Sequence, residues 1–140
     1  MFKHFYVIMI MRIVFFVYWI YLSILLLSQH PERWIGTSGN IPEFLQILMP
    51  YAHILSFTVL SLLVFTACFP LPRWGILLTL AIYGGATEII QGFNPPRTPK
   101  WADWFRDLGG IAIGFTCFWL VIFLLRMMRK NETLELPSSS

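Results

Sequence analysis

Four apolar stretches, each about as long as the roughly 20 residues a helix needs to cross a bilayer, alternate with short segments rich in Pro, Gly and charge. The first covers about residues 5–28 and carries Arg12 near its start, from where a long side chain can snorkel to the near interface. Its bulky residues Phe15, Phe16, Tyr18, Trp19 and Tyr21 and its lack of a small-x-small cleavage site argue for an uncleaved anchor rather than a signal peptide. The second stretch covers about residues 51–69, the third 75–93 and the fourth 107–128. Together they predict an all-α membrane protein, a compact bundle of four transmembrane helices forming one domain over residues 1–128.

The connections have their own signals. Gly36-Thr37-Ser38-Gly39-Asn40 is turn-rich, and Asn40-Ile41-Pro42-Glu43 opens like a helix, with Asn as cap and Glu three residues on. Phe44 to Met49 is too short to cross a membrane, so a short interfacial helix is expected there. Pro70-Leu71-Pro72-Arg73-Trp74 predicts a tight turn. Asn94-Pro95-Pro96-Arg97-Thr98-Pro99-Lys100 cannot be helical, because each proline removes a donor and clashes with the preceding turn. Trp101 to Arg106 reads as an aromatic-rich entry to the fourth span, with Trp101 and Trp104 as interfacial residues. Residues 129–140 are polar, end in three serines and predict a disordered tail.

Composition supports the membrane reading. Of 140 residues, 57% are hydrophobic and only 12% charged, with a mean hydropathy of +0.69. The net charge of +3 does not indicate a nucleic-acid partner, because the basic residues are scattered at segment ends instead of forming a patch. With both termini inside, Lys3, Arg12, Arg73, Arg126, Arg129 and Lys130 face the cytoplasm, against Arg33, Arg97, Lys100 and Arg106 outside. That excess favours cytoplasmic termini, and it puts the Pro-Pro-Arg loop outside the cell. Cys68 and Cys117 lie in apolar segments and are expected to be buried packing residues, without disulfide or metal-like spacing.

Against this apolar background a few polar residues stand out, because an ionisable group at membrane depth is costly unless paired or wetted. Glu88 and Gln91 share one helical face near the outer end of the third span. Asp103, Asp107, Gly110 and Gly114 recur at intervals of four, three and four, which places carboxylates and a Gly-x-x-x-Gly seam on one stripe. The simplest assembly sets that seam against Gly84 and Gly85 of the third span. Glu88, Gln91, Asp103 and Asp107 then gather beneath a loop that delivers Arg97, a bidentate partner for carboxylates. His53, with Ser56 one turn on, is the sixth member of this polar cluster. A purely architectural role competes with a functional one, since Glu88 and Asp107 can also serve as helix-end caps. A metal set of His53, Glu88, Asp103 and Asp107 has suitable ligand types, but no paired-histidine motif accompanies it. No metal and no cofactor are therefore expected. No nucleophile arrangement appears, and no catalytic residue is assigned.

These pieces, in this order, resemble the VanZ-like family of small bacterial membrane proteins. They are His53, Glu88-x-x-Gln91, Pro96-Arg97 and Asp103-x-x-x-Asp107-x-x-Gly110-x-x-x-Gly114, and the likeness covers about residues 50–115. Two departures are visible: Met49-Pro50 stand where the family often has Asp-Lys, and Asp107 stands where it has Asn. The resemblance implies a compact helical bundle and a cell-envelope role, the family being named for a protein associated with teicoplanin resistance; it implies no reaction. The expected function is an outward-facing polar pocket that binds a lipid-linked envelope precursor or an amphipathic antibiotic. The alternatives are a membrane enzyme acting on a lipid-linked headgroup, and an accessory subunit that packs against other membrane proteins.

Overall fold

A computed structural model describes residues 2–28, 43–93 and 101–134, and all of its regular structure is helical. Four helices follow one another: α1 (Phe2–Leu27), α2 (Glu43–Thr66), α3 (Arg73–Gly92) and α4 (Trp101–Leu134). A continuous helix satisfies its own backbone N–H and C=O groups, a form that apolar stretches can keep where no water reaches them. Among the described residues, three helices have segments long and apolar enough to cross a membrane: Phe5–Leu27, Arg73–Gly92 and Trp101–Lys130. The apolar part of α2, Tyr51–Thr66, is shorter.

The helix boundaries differ from expectation in three places. The short interfacial helix does not stand apart: α2 runs unbroken from Glu43 through Pro50 to Thr66. Proline removes one intrahelical hydrogen bond, and the helix continues past that loss. The Trp101–Arg106 entry belongs to α4 itself, forming its first turns. The expected disordered tail begins as helix, since α4 continues to Leu134; residues 135–140 lie outside the described part.

The helices run up, down, up and down. Arg12 of α1 reaches the end of α2, while Gln91 of α3 reaches the end of α1, so alternate helix ends share a side. Leu22 and Leu26 of α1, Phe57, Leu60, Val64 and Phe65 of α2, Ile76 and Leu80 of α3, and Ile111 of α4 form the core. Large apolar side chains such as Val17, Ile82 and Leu125 face outward. That distribution suits a solvent as apolar as the core.

The Gly-x-x-x-Gly seam meets a different partner from the one expected. A Cβ at Gly110 would collide with the Ile54 carbonyl oxygen, and one at Gly114 would sit 2.6 Å from the Thr58 carbonyl oxygen. Both glycines therefore pack on α2, not on α3. Hydrogen bonds lock the contact: Thr58 Oγ1 donates to the Gly110 carbonyl (3.1 Å) and Ser61 Oγ to the Ile111 carbonyl (3.1 Å). Backbone approach plus polar pairing is what joins helices when apolar burial gives no net drive. Gly84 and Gly85 still face α4, but they make room for side chains, Asp107 and Trp104 respectively.

At the other end, Arg12 closes the C-terminus of α2. Its Nε donates to the Ala67 carbonyl (3.2 Å), a terminal nitrogen to the Cys68 carbonyl (3.0 Å), and its guanidinium lies 5.2 Å from the Phe69 ring centre. Orphan carbonyls at a helix C-terminus favour such a cation. Cys68 adopts the left-handed conformation (φ 49°) that ends the helix. Both cysteines are exposed, contrary to the burial expected from their apolar neighbours.

Candidate functional site

Three helices bring one ionisable residue each to a common point. His53 comes from the N-terminal half of α2, Glu88 from the last turns of α3 and Asp107 from the second turn of α4. His53 Nδ1 lies 3.0 Å from Asp107 Oδ1. One ligand-type atom from each of the three residues lies within 4.8 Å of the others. Asp107 is 1% exposed and Glu88 3%, whereas His53 is partly accessible. All three are at the end of the bundle opposite Arg12 and Arg73.

Local sequence explains the convergence. Gly84 lies one turn before Glu88, and a Cβ there would come within 3.2 Å of Asp107 Oδ2 and 3.4 Å of the Phe57 ring. A glycine thus opens the slot that admits the Asp107 carboxylate between α2 and α3. Thr87 turns its hydroxyl back onto the Gly84 carbonyl (2.7 Å), keeping that buried donor satisfied. Trp104 Nε1 donates to the Ala81 carbonyl (3.1 Å) and holds the start of α4 against α3. The tight α2–α4 seam then sets His53 opposite Asp107.

Other expected members have different places. Gln91 Nε2 donates to the Leu26 carbonyl (2.8 Å), tying the end of α1 to α3. Asp103 pairs with Arg106 one turn on along α4, at the helix start where a carboxylate is favoured. Arg97 lies outside the described residues. The alternative capping role for Glu88 and Asp107 does not fit their positions, since Asp107 lies beyond the first turn of α4 and Glu88 lies on the C-terminal half of α3. Spacing alone also missed two links, Tyr18 Oη to the Ser56 carbonyl (3.1 Å) and Ser23 Oγ with Tyr83 Oη (2.8 Å). Their only trace in the sequence is a hydroxyl on an otherwise apolar helix face.

Beside the cluster a cleft of about 210 Å³ is lined by Glu88, Ile89, Gly92, Phe93 and Trp101. Glu88 thus belongs both to the buried triad and to the wall of an apolar cleft at the same end of the bundle. No family model, curated protein or solved structure matches the chain.

Proposed function

We propose that this chain is a four-span protein of the bacterial cytoplasmic membrane that binds an amphipathic cell-envelope component at its outward end. The observation that carries the reading is the cleft that joins Glu88 to Ile89, Phe93 and Trp101. Apolar walls with one polar group at the edge suit a molecule with a hydrocarbon tail and a hydrogen-bonding head. Phe93 and Trp101 are largely exposed, so both offer aromatic surface to such a tail. The fourth crossing is α2, whose 24 residues extend about 36 Å at the helical rise. The resemblance to the VanZ-like family, carried by the order of motifs over residues 50–115, agrees with an envelope role and extends the candidate ligands to teicoplanin-type lipoglycopeptides.

The test is direct binding to the purified full chain in detergent. Saturable binding of a polyprenyl phosphate or a teicoplanin-type lipoglycopeptide is expected, and Phe93→Ala and Glu88→Gln should each weaken it. Uptake that never saturates and does not differ among the variants would reduce the cleft to a lipid-filled crevice.

A second reading rests on a separate observation. A histidine bonded to one buried carboxylate with another beside it can relay a proton, as a membrane enzyme acting on a lipid-linked headgroup requires. Turnover of such a substrate, lost in His53→Gln, would favour it over binding alone.

A further inference from the structure

The geometry points to a divalent transition-metal site, of the zinc type, formed by His53, Glu88 and Asp107. It goes beyond the binding reading above and needs no occupant in the cleft. Two ligand atoms each about 2.1 Å from a zinc ion lie roughly 3.0–3.4 Å apart for angles between square and tetrahedral. His53 Nδ1 and Asp107 Oδ1 are 3.0 Å apart, which matches one edge of such a polyhedron. One ligand-type atom from each of His53, Asp107 and Glu88 lies within 4.8 Å of the others, so a carboxylate oxygen of Glu88 belongs to the same group.

A second observation points to a ligand independently. Asp107 Oδ2 is fully buried and has no hydrogen-bond partner among the described residues. Gly84, against which it lies, is one turn from Glu88, so the orphan oxygen rests against the helix that supplies Glu88. A buried polar atom without a partner is costly, and native structures rarely keep one without a compensating group. Charge leads to the same place. A carboxylate as buried as that of Asp107, beside an imidazole in an apolar bundle, calls for a cation or a proton to offset it. A divalent ion replaces the proton between His53 and Asp107 and offsets the buried Asp107 carboxylate.

The donor set selects the class of ion. One imidazole nitrogen with two carboxylate oxygens suits Zn²⁺ and its first-row neighbours, whereas Mg²⁺ and Ca²⁺ favour all-oxygen shells. Three protein ligands leave a coordination position open, as in zinc sites that hold water or substrate. Asp103 is not part of the set, because it is engaged with Arg106.

The test uses the full chain without a histidine tag, purified in detergent. Metal analysis after equilibration with Zn²⁺ should give one ion per chain, and the metal-stripped protein should develop Co²⁺ d–d bands that Zn²⁺ abolishes. Those bands should lack a thiolate charge-transfer component, which separates this site from Cys68 and Cys117. His53→Gln and Glu88→Gln should lose the ion, while Asp103→Asn keeps it. Should either ligand variant fail to accumulate, the wild-type Co²⁺ spectrum and a rise in Tm with Zn²⁺ decide the matter. Wild-type protein with no stoichiometric Zn²⁺ and no Co²⁺ bands would overturn the site, leaving only a proton between His53 and Asp107. Full binding retained in both ligand variants would overturn it equally.

Discussion

The hydroxyl of Thr58 donates to the carbonyl of Gly110, across a helix contact so close that no side chain fits between the two backbones. This pair and the Ser61–Ile111 hydrogen bond one turn on fix α4 against α2. Because His53 and Asp107 sit just beyond the same seam, its register decides whether they meet.

Adding a methyl group to that seam should therefore cost stability. Gly110→Ala and Gly114→Ala place a Cβ on carbonyl oxygens of α2, and backbone cannot yield as a side-chain tip does. Overpacking of this kind typically costs about 1–3 kcal/mol. Gly109→Ala is the internal control: its Cβ meets nothing within 4 Å, and alanine is the better helix former by about 1 kcal/mol. Thermal unfolding in detergent should rank Gly109→Ala at or above wild type and both seam variants below it. Equal melting of all three would mean that α2 and α4 are not held by this contact.

Much of this architecture is legible in the sequence, and the errors share a cause. Helical spacing places Asp107, Gly110 and Gly114 on one face and Glu88 near the C-terminal end of α3, because periodicity is a property of a single helix. Which helix receives that face is a tertiary matter, and here Thr58 and Ser61 on α2 decide it. Gln91 shares a face with Glu88 yet bonds to α1, since a long amide reaches whichever orphan carbonyl is nearest. Pro50 looks like a boundary because proline weakens an isolated helix, while α2 passes through it. Arg12 has the same limitation: its charge can be read from the chain, but its partners lie 55 and 56 residues away.

Arg12 should matter to stability more than a snorkelling residue would. Its two hydrogen bonds, to the Ala67 and Cys68 carbonyls just past the end of α2, are charge-assisted, and such bonds contribute about 1.5–3 kcal/mol when intact. Arg12→Ala should lower Tm and speed amide exchange at residues 67–69, where α2 ends. Arg12→Lys should recover only part of the loss, because one ammonium cannot reproduce the planar fork. Unchanged exchange in Arg12→Ala would show that the end of α2 is held by other groups.

Gln91 separates architecture from site. Gln91→Leu removes the bond to the Leu26 carbonyl and should cost about 0.5–1.5 kcal/mol. Its amide is engaged with α1 and is not one of the three clustered ligand-type residues, so binding of Co²⁺ or of a lipoglycopeptide should survive in the folded fraction. Loss of binding at full helicity and near-normal Tm would return Gln91 to the ligand site.

Asp107→Asn tests how far charge, rather than shape, defines the cluster. The amide keeps the size of the carboxylate and an oxygen that can accept from His53 Nδ1, so the slot beside Gly84 stays filled. Unfolding should change by no more than about 1 kcal/mol, the usual worth of a single neutral hydrogen bond. Asp107→Leu leaves His53 without its acceptor and should cost clearly more. If Asn instead destabilises as much as Leu, the negative charge itself holds the three helices together, and the pairing with His53 is ionic.

The two cysteines offer a check on orientation that needs no added label site. Cys68 is exposed in the turn that ends α2, at the Arg12 end, whereas Cys117 is exposed midway along α4 among exposed apolar residues such as Ile113, Leu120 and Val121. With cytoplasmic termini, a membrane-impermeant maleimide should leave both untouched in intact cells and modify Cys68 after the inner face is opened. Cys117 should stay unmodified until detergent is added, since hydrocarbon keeps both the reagent and the thiolate away. Labelling of Cys68 in intact cells would invert the topology and place the His53–Glu88–Asp107 cluster at the cytoplasmic face, where a ligand would have to come from inside the cell.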